Sequence, residues 1–243
     1  MRIAADSFGP YAVARRSQLG LLEALAPDLY GRAITDWDAE SLKTYQDLLA
    51  YAFIRDNVPA GSRLLEVGGG YSRVLGRLAA EYDCWNVDRF EGLGAGPTDE
   101  PKADYRIVRD YMGTFNRELP DDHFDLVFSI SVLEHVSSDS AAEQEAVLRD
   151  IQRVTRPGGF NLHLVDAIAF QGYGWYHPIV GQAARLFALL PPPPDPAAMA
   201  ADPGLYVMSR EAYEAQWRPI TGQPYEAFGR PTSLNLLWRR PDA

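Results

Sequence analysis

Leu64-Leu65-Glu66-Val67-Gly68-Gly69-Gly70-Tyr71-Ser72 is the stretch on which the reading of this chain turns. Arg63–Val67 is a short apolar run that stops at three glycines. Residues 72–82 follow with helical spacing, Val74, Leu75 and Leu78 sharing one face. A strand, a glycine turn and a helix in that order make the first crossover of a parallel α/β sheet. Glycine allows φ > 0 in the turn and a close approach of backbone to ligand.

The alternation continues downstream. Residues 84–87 form a second strand closed by Asp88, and residues 105–108 a weaker third. Residues 124–129 (FDLVFS) are apolar on both faces apart from Asp125, as a central parallel strand requires. Residues 141–155 read as a helix with Val147, Ile151 and Val154 aligned, Arg156-Pro157-Gly158-Gly159 as a turn, and residues 160–165 as the fifth strand. Further on come a helix over 179–190, a polyproline-like spacer from Pro191 to Pro196, a capped helix over 209–217 and a closing strand over 232–238. Residues 10–57 read as helical, with a break at Pro27, Ser41 or Asp38 as cap of the second helix, and Pro59, Ala60 and Gly61 as its stop. One domain is expected: a helical cap over 1–60, a ligand-binding core over 61–166, and substrate-side insertions with closing strands over 167–243.

Composition narrows the function. The 243 residues carry 23 Lys and Arg against 33 Asp and Glu, a formal charge of −10. Such a surface repels phosphate backbones and argues against nucleic acid as substrate, although Arg73, Arg77, Arg89, Arg106 and Arg109 leave room for a local basic patch. The one cysteine, Cys84, excludes an intrachain disulfide and reads as a buried structural thiol. The start, MRIAADSFGP, lacks the apolar core of a signal peptide, and no apolar run approaches the ~20 residues of a membrane span. A cytoplasmic protein without membrane contact is expected; the oligomeric state is not legible.

Two details bear on the ligand. A dinucleotide fingerprint needs a small third residue at G-x-G-x-x-G/A, where this chain has Arg73. Glu66 also sets a carboxylate where a pyrophosphate would lie, which suits a cationic or zwitterionic ligand instead. These two residues oppose the alternative of an NAD-dependent oxidoreductase. Asp88, at the end of the second strand, is spaced to hold ribose hydroxyls. Asp110 is suited to accept from an adenine amino group, with Phe90, Tyr111 and Met112 either sandwiching the ring or packing as core.

Taken in order, these segments resemble the class I S-adenosylmethionine (SAM)-dependent methyltransferases, in their small-molecule branch. Glu66-Val67-Gly68-Gly69-Gly70 resembles the family's first motif, and Asp88 and Asp110 its ribose-side and adenine-side acids. Phe124 to Val136 (FDLVFSISVLEHV) resembles its fourth strand and following turn, and Arg156-Pro157-Gly158-Gly159 the turn before its fifth. The likeness covers about residues 62–166 and departs at Ser72, where a third glycine is common. It implies a doubly wound, Rossmann-like, mainly parallel sheet of seven strands in the order 3-2-1-4-5-7-6, with an N-terminal helical extension. It implies SAM as cofactor across the carboxyl ends of strands 1, 2 and 4, beside Glu66, Gly68, Gly69, Gly70, Asp88, Arg89, Asp110, Tyr111 and Ser129.

The expected reaction moves a methyl group to a small-molecule or sugar-like acceptor, with oxygen preferred. His135, after the fourth strand, is the first candidate base. Asp166 ends the fifth strand on the same rim and would orient a histidine, act as base or bind metal. His177 is a third option, in an aromatic stretch where Trp175 and Tyr176 either wall a pocket or pack as core. His123 lies at the opposite end of the sheet and reads as structural. The four histidines form no H-x-x-x-H pair, so no metal is expected, Glu134 with Asp166 being the one conceivable Mg²⁺ pair. An Asn-Pro-Pro-Tyr segment of the nucleic-acid amino-methylating branch is missing. A non-catalytic SAM-binding module is the reading from another class.

Overall fold

The computed structural model describes residues 2–92, 96–170, 173–187 and 190–242. The strands are β1 (Tyr11–Val13), β2 (Arg63–Val67), β3 (Asp83–Val87), β4 (Arg106–Val108), β5 (Phe124–Ile130), β6 (Thr155–Phe170), β7 (Tyr173–Tyr176) and β8 (Arg230–Arg239). They join in one sheet ordered β1-β8-β6-β5-β2-β3-β4, with β7 hairpinned onto β6. The run β4-β3-β2-β5-β6 is parallel throughout, whereas β8 runs antiparallel to β6.

This is the expected doubly wound order with one correction. The place beside the closing strand, expected for a strand from the last third, is taken by the N-terminal Tyr11–Val13, which pairs antiparallel with Leu234–Leu236 of β8. With the β7 hairpin, the described strands number eight rather than seven.

The helices are α1 (Ala5–Phe8), α2 (Leu19–Tyr30), α3 (Leu42–Asn57), α4 (Arg73–Leu78), α5 (Ala141–Val154), α6 (Ile179–Leu186), α7 (Pro196–Ala201), α8 (Arg210–Gln216), α9 (Arg218–Thr221) and α10 (Tyr225–Phe228). Apolar residues on α2, α3 and α4 pack with Leu64, Leu126, Phe128 and Ile130 on one face of the sheet. Leu148, Ile151 and Val154 of α5 and Ile179, Val180 and Ala183 of α6 pack with Leu65, Val67 and Val127 on the other. Strands covered on both faces explain the apolar runs that made β2 and β5 readable.

Capping serines set several boundaries. Ser41 accepts from the Thr44 N–H at 3.2 Å, Ser72 from Leu75 at 2.9 Å, and Ser209 from Ala212 at 3.0 Å. Pro27 does not break the first long helix but lies inside α2. Burial of Leu22, Ala26 and Leu29 carries the helix across the one hydrogen bond proline removes.

The fifth strand of the sequence reading is longer than expected. Arg156–Gly159 belongs to β6 as a bulge, with Phe124 opposite Thr155 but Leu126 opposite Phe160, and Gly158 at φ +71°. Asp166 consequently lies within β6, four residues before its end, instead of terminating it. The α6 helix stops at Leu186; Ala188 and Leu189, in the expected helix, lie outside the described residues. Among the described residues no helix is long and apolar enough to cross a membrane.

Candidate active site

The carboxyl ends of β2, β3 and β5 meet around the glycine turn, which is held from three sides. Gly68 and Gly70 sit at φ +66° and +53°, in the left-handed region. A Cβ on Gly68 would stand 2.7 Å from Val132 Cγ1, and one on Gly69 2.8 Å from Glu66 Cδ, so side chains are excluded by packing as well as by backbone. Asn86 clamps the turn: its Oδ1 accepts from the Gly69 N–H at 3.0 Å and its Nδ2 donates to the Gly70 carbonyl at 3.1 Å. Asp88 completes the tie by accepting the Gly70 and Phe90 N–H groups.

Glu66 lies buried beneath the turn and accepts the Ser72 hydroxyl. Burial pushes its carboxyl up to about 7, with the Ser72 hydrogen bond, Lys43 and Arg73 pulling the other way. Arg73, which breaks the dinucleotide fingerprint, reaches back to α3 and binds Asp47 through Nε at 2.8 Å.

On the β3–β4 side, Asp110 accepts from the Tyr111 N–H and from Asn116 Nδ2, each at 2.8 Å. The Tyr111 hydroxyl donates to Glu91 Oε2 at 2.6 Å, Arg89 Nε donates to Glu91 Oε1 at 2.9 Å, and the Arg89 guanidinium lies 6.0 Å from the Tyr111 ring. Of the three residues expected to sandwich a ring, Tyr111 is exposed, while Phe90 and Met112 are buried.

The β5–β6 side gathers the acid–base residues. Ser131 leaves β5 at φ +56°, and a short 3₁₀ turn, Leu133–His135, follows. Asp166 accepts the Ser131 hydroxyl at 2.6 Å on Oδ2 and Gln46 Nε2 at 2.8 Å on Oδ1. His135 keeps a solvent-exposed edge; crowding of the rest of its ring holds its pKa below the usual value, with Asp166 acting against this and Lys43 adding to it. Both carboxyl oxygens of Glu134 are buried, and their neighbour Asp166 adds to a strong upward shift caused mainly by burial.

His177 is brought to the same turn but is buried, its Nδ1 accepting the Ile179 N–H at 3.2 Å. Burial lowers its pKa, against the pull of the Val136 carbonyl. Ser129 is fully buried and shares a 2.8 Å hydrogen bond with His163 Nδ1, a ring that burial holds down at about 3. Its hydroxyl is thus committed to the core. Trp175 is exposed on β7, and Tyr176 donates to the Pro194 carbonyl at 2.8 Å. His123 is bonded to Arg63 and packs on Trp85, away from these residues. Among the described residues no group of His, Cys, Asp and Glu is arranged to hold a metal ion.

Three residues were missed in the sequence. Asn86, a poor strand former between Trp85 and Val87, was the clearest available signal. Gln46 lies in the buried interior of α3, and Lys43, one of two lysines in the chain, points its Nζ to the Ile130 carbonyl at 3.3 Å.

The group set around the turn suits SAM. Asp88 and Asp110 offer carboxylate acceptors beside the turn, and the nearby Arg89 is paired with Glu91. A phosphate-free adenosyl ligand bearing sulfonium and ammonium charges matches that chemistry.

A family model described as a methyltransferase domain matches residues 65–162. A search of curated proteins finds no match. Similar solved structures include the YcgJ protein of Bacillus subtilis (19% identity, 45% of this chain and 46% of that one, TM-score 0.34). Phosphoethanolamine N-methyltransferase 2 of Haemonchus contortus, in complex with SAM, is 16% identical over 91% of this chain and 60% of that one, TM-score 0.47. A SAM-dependent methyltransferase of Mesorhizobium loti is 18% identical over 82% of this chain and 100% of that one, TM-score 0.45. The chain thus spans less than two thirds of the first two. The methyltransferase-domain match lies on the glycine turn, Asp88, Asp110 and the fourth-strand turn, within a sheet running β4-β3-β2-β5-β6-β8, so residues 65–162 are those of a methyltransferase domain.

Proposed function

We propose that this chain methylates a hydroxyl of a small-molecule or sugar-like acceptor, with His135 as the base. The observation that carries this reading is an imidazole whose pKa burial lowers, with an exposed edge, on the turn after β5 and within the influence of Asp166. The acidic surface supports a small acceptor over a nucleic acid.

SAM, when bound, supplies an electrophilic methyl group on a good leaving group. Asp88 would hold its ribose, Asp110 and Tyr111 its adenine, and the Gly68–Gly70 turn with Glu66 its amino-acid end. His135 accepts the proton that the acceptor hydroxyl loses as its oxygen becomes nucleophilic, a contribution of roughly 10²–10⁴-fold. Asp166, anchored by Ser131 and Gln46, steadies the imidazolium so formed. Residues after Asp166, with Trp175 exposed among them, wall the acceptor side and exclude water; alignment there contributes several kcal/mol. Ser129 and His177, both buried, take no direct part.

The test is a methyl-transfer screen against hydroxylated small molecules and nucleotide sugars, reading S-adenosylhomocysteine release. Turnover with a hydroxyl acceptor that falls on His135→Ala supports the reading. Turnover confined to amine or thiol acceptors, or undiminished without His135, removes it.

A further inference from the structure

We infer that Glu134 is a positioning residue that keeps its proton and donates it in a hydrogen bond to Asp166, so that the carboxyl pair beside His135 carries one negative charge instead of two. This rests on the reading of His135 as the base.

The argument starts from an unmet hydrogen-bonding demand. Both Glu134 oxygens are buried, and no N–H or O–H group satisfies either. The groups that act on this carboxyl are Asp166 of β6, its own backbone N–H and Ser131 of the preceding turn. Ser131 already gives its hydroxyl to Asp166 Oδ2, and Gln46 of α3 gives its amide to Oδ1. An ionised Glu134 would therefore be a buried carboxylate set against a second carboxylate, compensated only by its own backbone N–H and by a Ser131 hydroxyl already given to Asp166. A protonated Glu134 turns the contact into an O–H···O bond and removes the repulsion.

Among the described residues no cation is placed to offer another solution. Lys43 of α3 is directed at the Ile130 carbonyl and bears on His135 and Glu66. His177, from the segment after β7, is held neutral by burial. Ser233 of β8 is uncharged and takes the same Gln46 amide at 3.1 Å. The strong upward shift of Glu134, from burial first and Asp166 second, agrees with this geometry.

The arrangement has a purpose for a histidine base. One negative charge stabilises the imidazolium formed during reaction. Two would also raise the resting pKa of His135 and reduce the share of it free to accept a proton.

Carboxyl-carbon NMR of the full-length protein, labelled at Glu and Asp side chains, tests this without any methyl acceptor. The Glu134 resonance is assigned through coupling to its own backbone and by its loss in Glu134→Gln. A protonated Glu134 at about pH 7 is expected, and an ionised one at that pH overturns the proposal. The His135 ring is then titrated in wild type and in Glu134→Gln. An unchanged midpoint is expected, because a neutral group replaces a neutral group. A fall of about half a unit or more would mean that a negative charge was removed, and would overturn it too. Neither measurement depends on the acceptor, so the proton on Glu134 and the oxygen-methylation reading stand or fall separately.

Discussion

Gly70 donates its backbone N–H to Asp88 Oδ2 at 2.8 Å, and Phe90 donates its own to Oδ1 at 2.7 Å. One carboxylate thus ties the turn after β2 to the segment after β3, and each oxygen keeps a lone pair for a ligand. Asp88→Ala removes both the tie and the acceptor for ribose. SAM affinity is expected to fall by one to two orders of magnitude, roughly 1.5–3 kcal/mol for charge-assisted bonds. Calorimetry giving wild-type affinity for the variant would take Asp88 out of the site.

Arg73 joins the glycine-turn helix α4 to the buried Asp47 of α3, which also accepts the Tyr30 hydroxyl at 3.0 Å. Arg73→Ala leaves the Asp47 carboxylate buried beside Glu66 with no guanidinium. A destabilisation of roughly 3 kcal/mol is expected, toward the low end for a broken buried pair because Arg73 itself is partly exposed. Denaturant unfolding with an unchanged midpoint would show that the clamp contributes nothing.

Glu66 titrates near 7 in the folded protein against 4.5 as the ordinary value. A carboxyl raised on folding stabilises fully below its unfolded pKa, and that contribution is lost as pH climbs through the folded pKa. Glu66→Gln is therefore expected to gain stability relative to wild type between about pH 4.5 and 7 and to hold a constant gain, of order a few kcal/mol, above that range. Thermal melts of both proteins across this range check the sign. A wild-type advantage that grows with pH would contradict the assignment.

His135 must be neutral to take a proton, and its pKa lies below 6.5. Turnover should fall on acidification through a midpoint below 6.5, and His135→Gln should lower kcat while leaving SAM affinity near wild type. A pH profile whose acid limb persists in the variant assigns that limb to another group.

The sheet's parallel half was legible because β2 and β5 are buried on both faces and write that burial as apolar runs. The edge was not. Tyr11-Ala12-Val13 is three residues long and becomes a strand only through pairing with Leu234–Leu236, more than two hundred positions away. Pro27 misled because a local rule was overridden by burial of its helix neighbours. In the site, residues on the turns after strands were visible as motif positions. Gln46 and Lys43 were not, because they reach the rim from α3, a helix whose polar residues look like an ordinary surface face until packing buries them.

Calorimetric titration of the purified protein with SAM and, separately, with NAD⁺ bears most directly on the glycine turn and its acids. Heat of binding with SAM and none with NAD⁺, the SAM signal weakening in Asp88→Ala, is the result expected of a cradle built for a cationic adenosyl group without phosphate. Saturable binding of NAD⁺ with no response to SAM would contradict it.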